Sequence, residues 1–242
     1  MIKAVIFDFG DTLLNFGKVR PTELFMRGAR LTYDYLKQLG QPLPIYAIYC
    51  AKNLTAIRFR HMWSTVTGND FSARDLLKNI NKHSGFSLTE QQWDELVWLW
   101  YEPLSEAGTV EPDIIQTLDK LQQMNLKLAI LSNTFVDASS LEKHLKKYDM
   151  LKFFDIRMYS YQFSFRKPDL RIFLQAAEKL QLSPAEIVFV GDRIDKDIKP
   201  SLKAGMKPVL KAAYTNKYKL APRNVPRIKN IHELPGLIEN LD

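Results

Sequence analysis

The sequence predicts an α/β protein: a doubly wound parallel sheet carrying a helical segment inserted after its first strand. Three observations lead there. From Pro112 onward, short β-branched apolar runs alternate with helix-length segments, as in a parallel sheet covered on both faces. A single strand-like run, Lys3 to Phe9, precedes a stretch of helical periodicity reaching about Trp100. All four tryptophans, Trp63, Trp93, Trp98 and Trp100, fall in that stretch, which implies a packed core of its own. The predicted division gives residues 1–16 and 106–242 to the α/β core and 17–105 to the helical insert.

The elements follow in order. Lys3 to Phe9 is β-branched and aromatic and ends in Asp8, a buried strand entering a loop. Arg20-Pro21-Thr22-Glu23 opens a helix, with Pro in the first turn and Gly40 as its stop. Leu24, Gly28, Leu31 and Tyr35 mark one face of it. Ser72 and Thr89 are candidate N-caps of further helices, and the pattern changes after Pro103. A helix from Pro112 to Asn125 leads to a strand from Lys127 to Leu131. A helix near Ser139 to Lys147 leads to a strand near Asp155 to Tyr159. A helix from Pro168 to Leu180 leads to the strand Ile187 to Val190. A last helix ending at Gly205 precedes the strand Pro208 to Leu210.

Composition narrows the class. At 46% hydrophobic and 25% charged, the chain is globular rather than disordered or fibrous. No apolar run approaches the roughly 20 residues of a membrane helix, and Asp8 breaks the N-terminal apolar stretch that a signal peptide would need. The single cysteine, Cys50, has no partner for an internal disulfide; it reads as a buried apolar residue in a reducing, cytoplasmic setting. Net charge is +7, and from Ile198 to His232 there is no Asp or Glu. That stretch reads first as a solvated lysine-rich face. Its other reading is a binding surface for anions or single-stranded nucleic acid, with Tyr214 and Tyr218 available for stacking. The histidines, His61, His83, His144 and His232, show no metal-ligand spacing, and a glycine-rich dinucleotide fingerprint is absent.

In a doubly wound sheet, ligands bind beyond the carboxyl ends of the strands. The residues there are Asp8, Gly10, Asp11 and Thr12 after the first strand, Ser132 and Asn133 after the second, Arg166-Lys167-Pro168-Asp169 beyond the third, and Gly191-Asp192 with Asp195 and Asp197 after the fourth. Each alone has an ordinary explanation as a cap, a turn or a solvated charge. Together they place several carboxylates and a lysine on one rim. Converging carboxylates repel one another unless a cation sits among them, and oxygen ligands suit Mg²⁺. With Lys167, such a site clamps a phosphoryl group, which Asp8 is placed to attack in line while Ser132 and the Asn133 backbone donate to its other oxygens.

This constellation resembles the haloacid dehalogenase (HAD) superfamily over nearly the whole chain. The matching motifs, in the family's order, are Asp8-Phe9-Gly10-Asp11-Thr12-Leu13, Leu131-Ser132-Asn133-Thr134, Lys167-Pro168-Asp169, and Val190-Gly191-Asp192 with Asp197. The resemblance implies a Rossmann-like core with a helical cap and a magnesium-dependent phosphatase acting on a small phosphorylated molecule through an aspartyl-phosphate, as monomer or homodimer. It makes Asp8 the nucleophile and Asp8, the Gly10 carbonyl and Asp192 metal ligands, with Asp197 binding through water or orienting the site. It assigns Ser132, Asn133 and Lys167 to phosphate, and Asp195 to solvent. Arg20, Arg27, Arg58 and Arg60 are candidate cap contacts, equally readable as surface charge.

One position departs from the family pattern. Its phosphatases carry an Asp two residues after the nucleophile as general acid and base, where this chain has Gly10, with Asp11 one residue on. Such help contributes about 10²–10⁴-fold. Asp11 is either a shifted replacement or a residue that hydrogen-bonds its own loop. The vacancy also suits a dehalogenase, against which stands the retained pair Asp192 and Asp197. The remaining alternative is a non-catalytic binding protein holding nucleic acid or a protein partner.

Overall fold

The computed structural model describes residues 1–241. Six parallel strands form one sheet in the order β3-β2-β1-β4-β5-β6. They are β1 (Ala4–Phe7), β2 (Lys127–Ser132), β3 (Ile156–Tyr159), β4 (Ile187–Gly191), β5 (Lys207–Lys211) and β6 (Arg227–Ile228). Side chains on a strand alternate between faces, and both faces here are apolar. Val5, Phe7, Ile130 and Val190 join one buried cluster, while Ala4, Ile6, Leu131 and Phe189 join a second on the other side. Helices α5 (Ile114–Gln123), α6 (Ala138–Lys147), α7 (Leu170–Leu180), α8 (Lys199–Lys203) and α9 (Leu234–Glu239) accompany the sheet. β1 is hydrogen-bonded to β2 on one side and to β4 on the other. The chain order therefore reverses between β1 and β4, the crevice where such sheets bind ligands.

Between β1 and β2 come α1 (Pro21–Gln38), α2 (Tyr46–Thr67), α3 (Ala73–Ile80) and α4 (Glu90–Ala107). Ser72 caps α3 by accepting from the Asp75 amide, and Thr89 caps α4 in a reciprocal box with Gln92. At Gly28 the absence of a side chain matters: a Cβ would lie 2.9 Å from the Trp100 carbonyl oxygen, so α1 lies close against α4 there. Pro103 does not end α4, which continues to Ala107. Among the described residues no helix is long and apolar enough to cross a membrane.

The tryptophans divide differently from expectation. Trp93 and Trp100 pack in a helical cluster with Leu36, Tyr49 and Leu96, but Trp98 faces the main core beside Tyr101, and Trp63 is 53% exposed. α4 sits between two cores, so its adjacent aromatic positions face opposite ways. Cys50 is buried, its Sγ 3.4 Å from Met26 Sδ. The basic side chains of the acid-free stretch are mainly exposed, but Lys207 is half-buried and Lys211 is buried and paired with Glu111 at 3.0 Å. The helix expected to end at Gly205 is a π-helical stretch, Ile194–Ile198, followed by the short α8. There both the Asp197 and Ile198 amides donate to the Arg193 carbonyl. Strand β6 has only two residues, too few for an alternation to show.

Candidate active site

The strand ends bring the expected carboxylates together. Asp8 follows β1 and Asp192 follows β4, on strands paired Phe7 to Val190, and the Asp8 amide donates to the Val190 carbonyl at 2.9 Å. The π-helical turn returns Asp197 to the same place. One ligand oxygen from each of Asp8, Asp192 and Asp197 lies within 4.8 Å of the others. Lys167, 2% exposed, ties two of them, with Nζ 2.9 Å from Asp8 Oδ1 and 2.6 Å from Asp197 Oδ1. Ser132, the last residue of β2, and Asn133 line the same cavity of about 390 Å³. The Asn133 side chain, however, is committed to the peptide of Lys167. It accepts from the Lys167 amide at 2.9 Å and donates to the Lys167 carbonyl at 2.7 Å. Asn133 thus positions the lysine, and its backbone is what it offers a ligand.

The charges are poorly compensated. Burial raises the Asp192 carboxyl to about 6, helped by Asp197 and opposed by the Thr215 hydroxyl that donates to it. Burial also raises Asp197 to about 6, against the pull of Lys167. Asp8 is raised too, by burial and then by Asp192, again against Lys167. Burial acts to lower Lys167, but Asp197 and Asp8 outweigh it and hold the ammonium above its ordinary value. One lysine among two buried carboxylates and the half-buried Asp8 leaves an excess of negative charge and unshared hard oxygen donors. That donor set fits a small divalent cation.

Gly10 and Asp11 resolve differently. The Asp11 backbone is left-handed (φ 53°), and its Oδ1 accepts from the Phe16 and Gly17 amides at 3.1 and 3.2 Å. A short polar side chain tolerates this conformation, and here the carboxylate braces its own loop. At Gly10 the nearest atom to a Cβ would be Phe16 Cε2 at 3.6 Å, an ordinary contact, so a side chain fits there. Asp195 is exposed and paired with Arg193 at 2.9 Å. Arg20, Arg27, Arg58 and Arg60 all lie off the cavity, whose arginines are Arg166 and Arg193.

Two features escaped the sequence. Thr215 and Tyr214 reach the cavity from the loop after β5, and Asn216 Nδ2 holds the Asp192 carbonyl at 2.8 Å. Inspecting the end of the fifth strand as well as the first four would have found them. The second is a clasp between the segment following α2 and the core. Asp70 Oδ1 accepts from Arg166 and from Ser64, each at 2.6 Å, and the Ser160 hydroxyl donates to Asp70 Oδ2. Phe71 stacks on Phe135 at 5.1 Å, and Asp137 accepts from the Ser72 hydroxyl and the Arg74 amide, both at 2.9 Å. Residues this far apart in sequence carry no local signal of pairing.

Gly191 shows how closely the cluster is built. A Cβ there would fall 2.5 Å from Asp197 Cβ, inside a buried ion pair that has no room to yield. Gly191→Ala should therefore destabilise the protein by about 1–3 kcal/mol and displace Asp197 from Lys167. Denaturant unfolding checks the first effect and hydrolysis assays the second.

Comparison with known proteins follows the same line. The chain is 38% identical over 95 residues to the glyceraldehyde 3-phosphate phosphatase of Methanopyrus kandleri, covering 39% of this chain and 40% of that one. It is 34% identical over 132 residues to the enzyme of that name from Methanocaldococcus jannaschii, covering 54% and 57%. The matched part thus spans about half the length of these relatives. In fold it is similar to a 2-haloacid dehalogenase from Pseudomonas syringae, with TM-score 0.65 and 21% identity over the whole of both chains. A family match over residues 2–205 takes in every member of the carboxylate–lysine cluster, and by it the chain belongs to the haloacid dehalogenase-like hydrolases.

Proposed function

We propose that the protein is a magnesium-dependent phosphomonoesterase that works through an aspartyl-phosphate on Asp8. The observation that carries this reading is the group Asp8, Asp192 and Asp197, with ligand oxygens within 4.8 Å, crossed by the Lys167 ammonium. Such a cluster favours an anionic substrate only when a further cation offsets it, and phosphoryl transfer depends chiefly on positioning and charge neutralisation. Asp8, Asp192, the Gly10 carbonyl and, directly or through water, Asp197 would hold magnesium, whose charge offsets that of carboxylates and phosphoryl oxygens. The relatives named as phosphatases support the same class, and retention of the pair Asp192 and Asp197 argues against dehalogenation at carbon.

In this scheme an Asp8 oxygen bonds to phosphorus as the bond from phosphorus to the leaving oxygen breaks. Lys167 holds Asp8 in place and Ser132 with the Asn133 backbone binds the equatorial oxygens. Water then attacks phosphorus, the Asp8 oxygen–phosphorus bond breaks, and orthophosphate leaves with the carboxylate restored. The helices α1–α4, which run two residues past the expected boundary at 105 because α4 ends at Ala107, act as a cap over the rim, where closure limits water. The unpaired, buried Cys50 suits a reducing cytoplasmic setting.

With Gly10 at the acid position and Asp11 bound to its own loop, the leaving oxygen departs without a dedicated proton donor. Turnover should therefore fall steeply as leaving-group pKa rises, alkyl phosphates lagging aryl or acyl phosphates by about 10²–10⁴-fold. Gly10→Asp, whose Cβ would meet no atom nearer than 3.6 Å, should narrow that gap by roughly 10²-fold. A panel of esters graded by leaving-group pKa, with and without magnesium, tests this. Rates independent of leaving-group pKa would point to a working acid elsewhere, and no turnover of any ester would overturn the proposed activity.

A further inference from the structure

A second cavity adjoins the first. It measures about 520 Å³ and lies among α1, α2, α4 and the start of α3, beside the cavity of about 390 Å³ that holds Asp8 and Lys167. Tyr101, Leu104, Phe135, Val136 and His61 line both. A molecule anchored by phosphate at the strand ends would therefore direct its other end past these residues toward the helices.

The chemistry of the second cavity is one-sided. Phe25, Leu54, Leu77 and Val97 are typical of its walls, and among the described lining residues the polar side-chain groups are those of Thr22, Arg58, His61 and Tyr101 and the single indole N–H of Trp100. The Tyr101 hydroxyl is already paired with His144 Nδ1 at 2.8 Å. No carboxylate and no side-chain amide lines it. A sugar seated there would leave several hydroxyls without partners, which burial penalises. An apolar group would exchange water for carbon on most sides. The exposed Pro21, Thr22 and Met62 at its edge leave it open to solvent, and an apolar pocket beside convergent polar groups is the usual form of a binding site.

We infer that the substrate is a phosphomonoester whose leaving group carries a large apolar body, of aromatic-ring size or more, seated between α1, α2 and α4. This rests on the phosphomonoesterase reading and narrows it to a substrate class unlike a triose or sugar phosphate. Phenyl phosphate and 4-butylphenyl phosphate have leaving groups of nearly equal acidity, so comparing them isolates apolar fit from proton demand. The butyl ester should be favoured in kcat/KM on the order of 10²-fold, because each carbon buried in an apolar pocket is worth roughly fourfold and the butyl group adds four. Ala73→Phe, which fills the cavity, and Leu54→Gln, which puts an amide in its wall, should each bring that ratio toward one.

Non-hydrolysable 4-butylbenzylphosphonate should likewise bind the wild-type protein on the order of 10²-fold more tightly than benzylphosphonate, read from tryptophan fluorescence with magnesium present. That measurement stands even if the variants fail to fold. Equal kcat/KM for the two aryl esters, or a preference for glycerol phosphate over both, would overturn the inference and leave the phosphomonoesterase reading intact. Absence of turnover with every ester would overturn that reading instead, and the phosphonate pair would still decide what the cavity binds.

Discussion

Asp8→Asn should lower phosphate-ester turnover by at least ~10⁴-fold, because removal of a nucleophile leaves only binding and charge stabilisation. The change is nearly isosteric. The Asn side chain retains an oxygen for the Lys167 ammonium, which also keeps Asp197 at 2.6 Å, so the surroundings need not move. Loss of one of three crowded negative charges should leave metal-free thermal stability equal to or above that of the wild type, a site strained for its function giving up strain with activity. Single-turnover assays for the phosphorylated protein give the direct check: acid-stable label on the wild type under quench, none on the variant. Full activity of Asp8→Asn would remove the nucleophile from the mechanism.

Lys167→Met should be the most destabilising substitution in the site. It leaves Asp8 and Asp197 buried with no cation, and breaking a buried ion pair from one side costs about 3–5 kcal/mol. For a chain of this length that is a fall in Tm of about 10 °C. Its pH dependence follows from the raised carboxyls. Asp192 and Asp197 titrate near about 6 in the fold, above their ordinary value of 3.8. Below that ordinary value both are neutral in folded and unfolded chains alike. In the wild type the loss of stability with rising pH stops as they ionise in the fold at about 6; without Lys167, which lowers both, they ionise higher and the loss continues. The gap between variant and wild type should therefore be small near pH 4 and widen as pH rises past about 6, and millimolar magnesium should recover part of it. Thermal melts across that pH range, with and without magnesium, test both points. A gap that does not change with pH would show that the loss comes from packing alone.

The parallel sheet and the placement of its rim residues were legible because strands buried on both faces are continuous apolar runs, and the polar residues that follow them stand out by contrast. Asp8, Ser132, Lys167, Asp192 and Asp197 could be located in this way, one strand end at a time. Ser72 and Thr89 were readable as caps because a cap is a local event within four residues. The π-helical turn at Ile194–Ile198 was not, since its cause is a carboxylate folding back onto the Arg193 amide. Trp63 and Trp98 were misread for a related reason. Composition says that large aromatic residues pack, but only the relative placement of α2, α4 and the sheet says which core they join. The bracing role of Asp11 lay between these extremes, a loop contact over five and six residues that two readings fitted equally.

The clasp at Asp70 sets what variation the protein can tolerate. Arg166 meets Asp70 from the helical side and is joined by a single peptide bond to Lys167, so the two halves of the molecule are riveted beside the lysine that holds Asp8. Under the proposed function, a lineage adapting to a new phosphate ester is free to rebuild the walls supplied by α1 and α4. A change at position 70 would instead be transmitted to the chemistry itself, and selection would register it as a slower enzyme before it registered any shift in substrate taste.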